Sequence, residues 1–295
     1  MMIERRTPSR VLFLYANYIF LTLFSLTCLF PILHMAAMSL SSNSAVTAGW
    51  VTIWPVGFNL DSYKYIFGNH IFLQTVLVSF ERLFLGVSIS LILTVLAAYP
   101  LSKSNLKFRS RTIYSWYFVV TMIFNGGLIP TFMVVKETGL MDSIWALVIP
   151  SAVNVFNIVL MLNFFRTQPI ELEESAQMDG AGVWRTLWSI YLPISKPSLA
   201  TIALFTIIFH WNSWFDGMIY MNSPSNYPLQ TYLRTVIVAR DLTNMNGSDL
   251  SVIANISNRT VLAAQLFVSM LPVLCIYPFL QKYFVKGLVL GSVKG

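Results

Sequence analysis

Apolar residues come in long runs along this chain rather than in a periodic stripe. Six stretches, approximately Val11–Ala37, Ile71–Leu101, Ile113–Val135, Ile144–Phe165, Leu199–Met221 and Val261–Leu280, are apolar throughout. Each is long enough for the helix of about 20 residues that crosses a hydrocarbon core of roughly 30 Å. Between the runs the chain turns polar, with Gly, Pro, Asn and Ser at the junctions. The pattern predicts an all-α polytopic membrane protein with six transmembrane helices. The first run follows Arg5, Arg6 and Arg10. It is too long for the apolar region of a signal peptide and has no small-residue cleavage site, so it is read as a retained span.

The basic residues orient the spans. Arg5, Arg6 and Arg10 precede the first; Lys103, Lys107, Arg109 and Arg111 follow the second. Arg166, Arg185 and Lys196 follow the fourth, and Lys282, Lys286 and Lys294 lie near the end: thirteen of the nineteen, all on one side. Five lie on the other side (Lys64, Lys136, Arg234, Arg240 and Arg259), and Arg82 is inside the second span. The positive-inside rule then puts both termini in the cytoplasm. The expected organisation is a cytoplasmic N-terminus (1–10), a single transmembrane domain (11–281) and a cytoplasmic tail (282–295). Two long outer segments result. The first, Met38–His70, carries Trp50, Trp54, Pro55 and Gly57, which suggest a structured turn. The second, 222–260, is polar, with a turn expected at Asn246-Gly247-Ser248.

Composition agrees. Of 295 residues 56% are hydrophobic and only 11% charged, about half the usual charged share of a soluble domain, and mean hydropathy is +0.67. These values exclude a disordered chain, a disulfide scaffold and an ordinary nucleic-acid-binding domain, so no nucleic acid partner is expected. The net charge of +7 reports orientation rather than an anionic partner. Cys28 and Cys275 both sit in apolar stretches, and they and the three histidines form no metal-ligand pattern. No Walker A motif is present, since Gly287 and Gly291 are too close together and no Gly-Lys-Ser/Thr follows, and there is no nucleophile elbow. The chain is expected to be non-catalytic and to carry no cofactor of its own.

The segment Arg166–Pro197, between the fourth and fifth spans, is the most acidic stretch, with Glu171, Glu173, Glu174 and Asp179. It lies on the side where basic residues collect. Pro169 suits a helix start and the acids favour its first turn. Asp179-Gly180-Ala181-Gly182 then turns the chain, and a second short helix, Val183–Tyr191, is expected to be closed by Pro193 and Pro197. Taken alone, such a segment is either a plain connector or a docking knob.

Its spacing decides between them. Glu174-Ser175-Ala176, three residues, Gly180, nine residues and Ile190-Tyr191-Leu192-Pro193 resembles the E-A-A-x3-G-x9-I-x-L-P loop of binding-protein-dependent ABC importer permeases. Ser175 replaces the middle alanine. In that family the loop forms a coupling helix docked on an ATPase subunit. The resemblance therefore implies ATPase coupling for Glu174, Ser175, Ala176, Asp179, Gly180, Ile190, Leu192 and Pro193. Small residues at Ala176 and Gly180 would let the helix lie close to a partner, Glu174 would offer it a charge, and Pro193 would stiffen the link to the fifth span. Other segments are similar to the carbohydrate branch of these permeases, which takes up oligo- and polysaccharides. They are Ala98-Tyr99-Pro100-Leu101-Ser102, Phe124-Asn125-Gly126-Gly127-Leu128-Ile129-Pro130-Thr131, Trp211-Asn212-Ser213-Trp214-Phe215, Pro228-Leu229-Gln230 and Gly291-Ser292-Val293-Lys294-Gly295. The chain looks like the second membrane subunit of maltose-type importers. That resemblance implies a bacterial cytoplasmic membrane, a second unlike permease subunit, two ATPase subunits binding ATP and magnesium, and an extracytoplasmic sugar-binding protein. A secondary carrier or channel without an ATPase is the alternative, although no internal repeat is visible.

Polar residues inside spans are expensive and mark functional hypotheses. Asn154 and Asn157 share a face of the fourth span and would line a sugar path or bond neighbouring helices. Trp211, Asn212, Trp214 and Asp216 in the fifth span combine rings, an amide and a carboxylate suited to sugars, while Trp also marks membrane interfaces. Glu81 and Arg82 do not face each other on a helix, and each is left a structural role near the interface or against another helix. Gly126-Gly127 and Pro130 permit a break in the third span. The outer charges nearly cancel and do not choose between neutral and uronate oligosaccharides.

Overall fold

The computed structural model describes residues 8–104, 107–246 and 259–292. Most of the segment 1–10, the turn expected at Asn246-Gly247-Ser248 and the last three residues of the Gly291–Gly295 motif lie outside them. Among the described residues the chain is all-helical, with no strand. The helices are α1 (Pro8–Ser39), α2 (Asn43–Thr47), α3 (Asp61–Gly68), α4 (His70–Ser102), α5 (Arg111–Ile123), α6 (Leu128–Glu137), α7 (Ile144–Val148) and α8 (Val155–Arg166). There follow α9 (Glu171–Met178), α10 (Val183–Thr186), α11 (Leu192–Ile194), α12 (Lys196–Asn212), α13 (Phe215–Tyr220), α14 (Leu229–Asn246) and α15 (Arg259–Ser292).

Two compact units divide the chain. One comprises Met1–His70 and Val236–Met270. Within it α1 runs for 32 residues with only Ala37 and Ser39 buried. Leu12, Phe13, Tyr15, Phe20 and Phe24 stand outward, each more than 60% exposed, a surface that water would not tolerate and lipid would. The expected turn after it is present. Ser42 caps α2 by accepting from the Ala45 N–H, and Val56 returns to bond Ser41 and Ser42, leaving Trp50 and Trp54 exposed.

The other unit comprises Ile71–Thr235 and Leu271–Gly295. Its axis is α4, whose buried stripe is Phe72, Thr75, Ser79, Arg82, Gly86, Ser90, Thr94 and Ala98. Three- and four-residue steps make this one helix face. It is mostly small and polar, while Leu77, Phe80, Phe84 and Ile92 point outward. That inversion is the signature of helices packed within lipid, where small side chains let backbones approach. Gly86 is the closest approach. A Cβ there would lie 2.5 Å from Nε2 and 2.7 Å from two ring carbons of the buried His210. A rigid ring cannot yield as a flexible tip would. Gly86→Ala is expected to lower stability by about 1–3 kcal/mol through overpacking, read as a lower thermal midpoint of the detergent-solubilised chain. An unchanged midpoint would remove this contact from the fold's determinants.

Among the described residues three helices are long and apolar enough to cross a membrane: Pro8–Ser39, His70–Ser102 and Arg259–Phe279. The other three expected spans are broken. The α5–α6 pair meets at 112° and the segment from α7 to Ser151 meets α8 at 49°; the segment Val183–Ile194, which precedes the expected fifth span, meets α12 at 79°. Six segments result if each bent pair counts as one. The sharpest break falls at Asn125-Gly126-Gly127, where Gly127 adopts φ +90°, a conformation that side-chain-bearing residues rarely enter. The expected fifth span Leu199–Met221 stops at Asn212 instead and resumes as α13. Arg82 takes the Ser213 carbonyl at 3.2 Å, drawing that group out of the helical ladder. Two further expectations are corrected. The polar segment 222–260 is not mainly loop, because α14 occupies 18 residues of it, with Leu229 and Leu233 buried one turn apart. Pro193 does not close the second piece of the Arg166–Pro197 segment. It sits in α11, after a π-helical turn at Leu187–Tyr191, and helix continuity ends at Ser195. The wider turn accommodates the N–H that proline lacks.

The core of this unit gathers α4, α8, the π-helical turn and α12 through Ala98, Tyr99, Met161, Phe165, Leu187, Tyr191 and Ile202. It lies directly against α9.

Candidate functional site

Helix α9 has eight residues, three of them acids in the first turn, where the helix dipole favours negative charge. It ends in a glycine cap. Asp179 N–H reaches Ser175 O at 3.0 Å, Gly180 N–H reaches Gln177 O at 3.0 Å and Ala181 N–H reaches Ala176 O at 2.9 Å. Closing those bonds places Gly180 at φ +74°, as such caps require.

The residues expected to couple divide between two faces. Glu174, Ser175, Asp179 and Gly180 are exposed, as is the neighbouring Met178. A Cβ built on Gly180 would meet nothing within 4 Å. Ala176, expected to lie against a partner, is instead buried within the chain at 6% exposure, because it shares the inward face with Glu173. Ile190 and Leu192 are half-buried and Pro193 exposed.

Glu173 was not among the residues singled out from the sequence, yet it is the polar centre of the site. Its side chain is 9% exposed and pairs with Lys103 at 2.8 Å and Lys107 at 3.1 Å. It also accepts from the Tyr191 hydroxyl at 3.1 Å and the Gln177 amide at 3.3 Å. Lys103 sits between two rings, 4.0 Å from the centroid of Tyr99 and 4.1 Å from that of Tyr191, a cation–π placement that adds to the ion pair. Tyr99, Phe165 and Tyr191 pack edge to face around it. Burial acts to raise the Glu173 carboxyl; the hydrogen bonds and charges of Lys103 and Lys107 outweigh it and hold the group below its ordinary value. Burial pushes the Lys103 ammonium down, with Glu173 opposing. The available signal was positional. An acid three residues before an inward alanine must share its face, and Lys103 and Lys107 stand one turn apart just beyond α4.

The residues expected along a sugar path fall into two groups. Asn154 caps α8, accepting from the Asn157 N–H at 3.3 Å, and Asn157 donates to Thr206 Oγ1 at 3.3 Å. Both line a groove of about 270 Å³ with Ser90, Phe205, Thr206 and Phe209. Amides, hydroxyls and rings of this kind suit sugar hydroxyls and C–H faces. Trp211 is buried against Phe80 at 5.4 Å. The exposed Asn212 donates to its own helix at Ile208 O. Trp214 carries Arg234 over its ring at 5.2 Å. The Asp216 carboxylate is engaged already: Arg82 grips both of its oxygens, and Ser213 Oγ and the Gly217 N–H donate to Oδ1 at 3.0 and 2.9 Å. Glu81, beside Arg82, is exposed. Cys28 and Cys275 are exposed free thiols, and among the described residues no group of His, Cys, Asp and Glu could hold a metal ion.

This arrangement has relatives over its full length. The polygalacturonan/rhamnogalacturonan transport system permease protein YtcP of Bacillus subtilis (strain 168) is 39% identical over 278 residues, 94% of this chain and 96% of its own. Protein LplC of the same organism is 40% identical over 279 residues, 95% of this chain and 94% of its own. A chain in the crystal structure of a bacterial ABC transporter involved in the import of the acidic polysaccharide alginate superposes with a TM-score of 0.85 at 36% identity, covering 94% of this chain and 98% of that one. Residues 90–289, which include α9, Glu173 and the groove, match a family whose description is binding-protein-dependent transport system inner membrane component. The resemblance that the Glu174–Pro193 spacing carries is therefore correct, and the chain belongs to this family of membrane permeases.

Proposed function

We propose that this chain is a permease subunit of an ATP-driven importer for acidic oligosaccharides, coupled to its ATPase through α9. Its six apolar segments cross the membrane with both ends cytoplasmic, which puts α9 on the cytoplasmic side. The chain forms the path with a second, unlike permease subunit. Two ATPase subunits bind ATP and magnesium, and an extracytoplasmic binding protein delivers the sugar. The observation that carries the reading is the two-sided geometry of α9. One face is held inside the chain, while Glu174, Ser175, Met178 and the empty space beyond Gly180 lie open to a partner. The uronate character of the cargo draws on the similarity to permeases named for polygalacturonan/rhamnogalacturonan and for alginate transport. The groove at Asn154 and Asn157 would hold the sugar backbone by its hydroxyls, leaving the choice of carboxylated sugars chiefly to the binding protein.

Coupling then needs a bistable helix bundle that both the ATPases and the sugar-loaded binding protein bias. The test is the complex purified from its native membrane and reconstituted in vesicles with its binding protein. Oligogalacturonate or an alginate oligomer is expected to stimulate ATP hydrolysis and enter the vesicles, whereas maltodextrin does neither. Equal stimulation by maltodextrin would overturn the uronate assignment. A chain that retains no ATPase subunit would overturn the importer reading and favour a secondary carrier.

A further inference from the structure

The attachment of α9 to the rest of the chain has an unusual composition. Of its eight residues only Glu173 and Ala176 are buried. One alanine and the half-buried Leu172 supply little apolar area, so hydrophobic contact alone would hold this helix weakly. The Glu173 carboxylate supplies what is missing. It accepts four hydrogen bonds, about the full capacity of a carboxylate. Three of the donors lie outside its own helix. Lys103 and Lys107 are 70 and 66 residues upstream, just past the end of α4, and Tyr191 is 18 residues downstream, in the π-helical turn that leads into α11 and α12. Charge-assisted bonds are directional and strong, so they resist the sliding that a purely apolar contact would allow.

We propose that Glu173 is a positioning residue that locks α9 to the end of α4 and the start of the segment leading to α12, so that a displacement of α9 is carried into both. The proposal rests on the reading of α9 as the ATPase-docking helix and names the group that transmits its motion. It also gives a physical reason for two segments that stood apart in the sequence. Ala98-Tyr99-Pro100-Leu101-Ser102 and Ile190-Tyr191-Leu192-Pro193 each contribute the tyrosine that encloses Lys103, the partner of Glu173. Glu174, the next residue, stands exposed, so adjacent acids serve opposite faces: one toward the chain, one toward the partner.

The test uses the assembled complex in vesicles and reads sugar transported per ATP hydrolysed. Glu173→Gln keeps the side chain's shape and removes its charge. The ATPase subunits are expected to remain bound and to hydrolyse ATP, while sugar moved per ATP falls roughly fivefold or more, the low end of the range for coupling between distant sites. Lys103→Gln added to Glu173→Gln is expected to do no further harm, since partners in one network are not additive. Tyr191→Phe removes a single hydroxyl and is expected to shift the ratio in the same direction by less. The thermal midpoint of each complex is measured alongside, because a merely structural role would move that and not the ratio. An unchanged ratio in both Glu173→Gln and Tyr191→Phe overturns the proposal and leaves α9 docking intact. If Glu173→Gln does not assemble, Tyr191→Phe decides alone, a lowered ratio supporting the lock and an unchanged one overturning it. A wild-type chain that holds no ATPase subunit overturns the importer reading, and the lock with it.

Discussion

Replacing Asp216 by alanine is expected to destabilise the chain by about 3–5 kcal/mol, the range for removing one partner of a buried ion pair. Arg82 has no exposed surface at all, and among the described residues Asp216 is its one carboxylate partner. Without that carboxylate the guanidinium keeps, among the described residues, the Ser213 carbonyl. It stands within an apolar helix, where an unpaired charge is most expensive. The measurement is the thermal midpoint and the yield of monodisperse protein after solubilisation, both expected to fall sharply. Replacing Arg82 and Asp216 together by leucine should recover part of the loss, because no buried charge is then left alone. A stable Asp216→Ala chain that fails only in transport would show instead that this carboxylate faces the sugar.

That ion pair also shows where sequence reading reaches its limit. Both ends of α1 and α4 lie within a few residues of the predicted spans, because a long apolar run is legible directly in the sequence. The break at Ser213 is invisible to the same reasoning. Neither Asn212 nor Trp214 beside it marks a helix end, and the Ser213 carbonyl is bonded by an arginine 131 residues upstream. The Asn125-Gly126-Gly127 break was legible as a possibility from its glycines, but its 112° amplitude belongs to tertiary packing. Helix α14 was missed because its surroundings are polar, although Leu229 and Leu233 repeat at helical spacing.

Legibility of the site follows the same division. The Glu174–Pro193 spacing is local, and local spacing can be read. Glu173 looked like one more acid in an acidic turn, because the lysines that give it a role arrive from the end of another helix. Asn154 and Asn157, three residues apart in the sequence, line one groove. Trp211, Trp214 and Asp216 lie outside that groove among the described residues, each already engaged by Phe80, Arg234 or Arg82.

Gly180→Arg is expected to abolish sugar-stimulated ATP hydrolysis while leaving the chain folded and inserted. Two separate effects act at this position. The backbone stands at φ +74°, so any side chain brings a local strain of about 1–2 kcal/mol, small beside the 5–15 kcal/mol that holds a typical domain. Apart from its chain neighbours, no described atom lies within 4 Å of a Cβ added there, so the arginine side chain starts into open space beside α9. Its bulk is felt only by whatever docks on that face. Gly180→Ala separates the two effects, since it carries the same strain with almost none of the bulk. The expected order is wild type, then Gly180→Ala with most of its activity, then Gly180→Arg with none and with ATPase subunits lost on purification. The measurement is stimulated hydrolysis in vesicles together with the subunit composition of the purified complex. Should Gly180→Arg retain full stimulation in a complex of normal composition, the open face of α9 is not where the ATPase sits. If alanine and arginine are equally inactive, the strain of the cap rather than contact with a partner accounts for the loss.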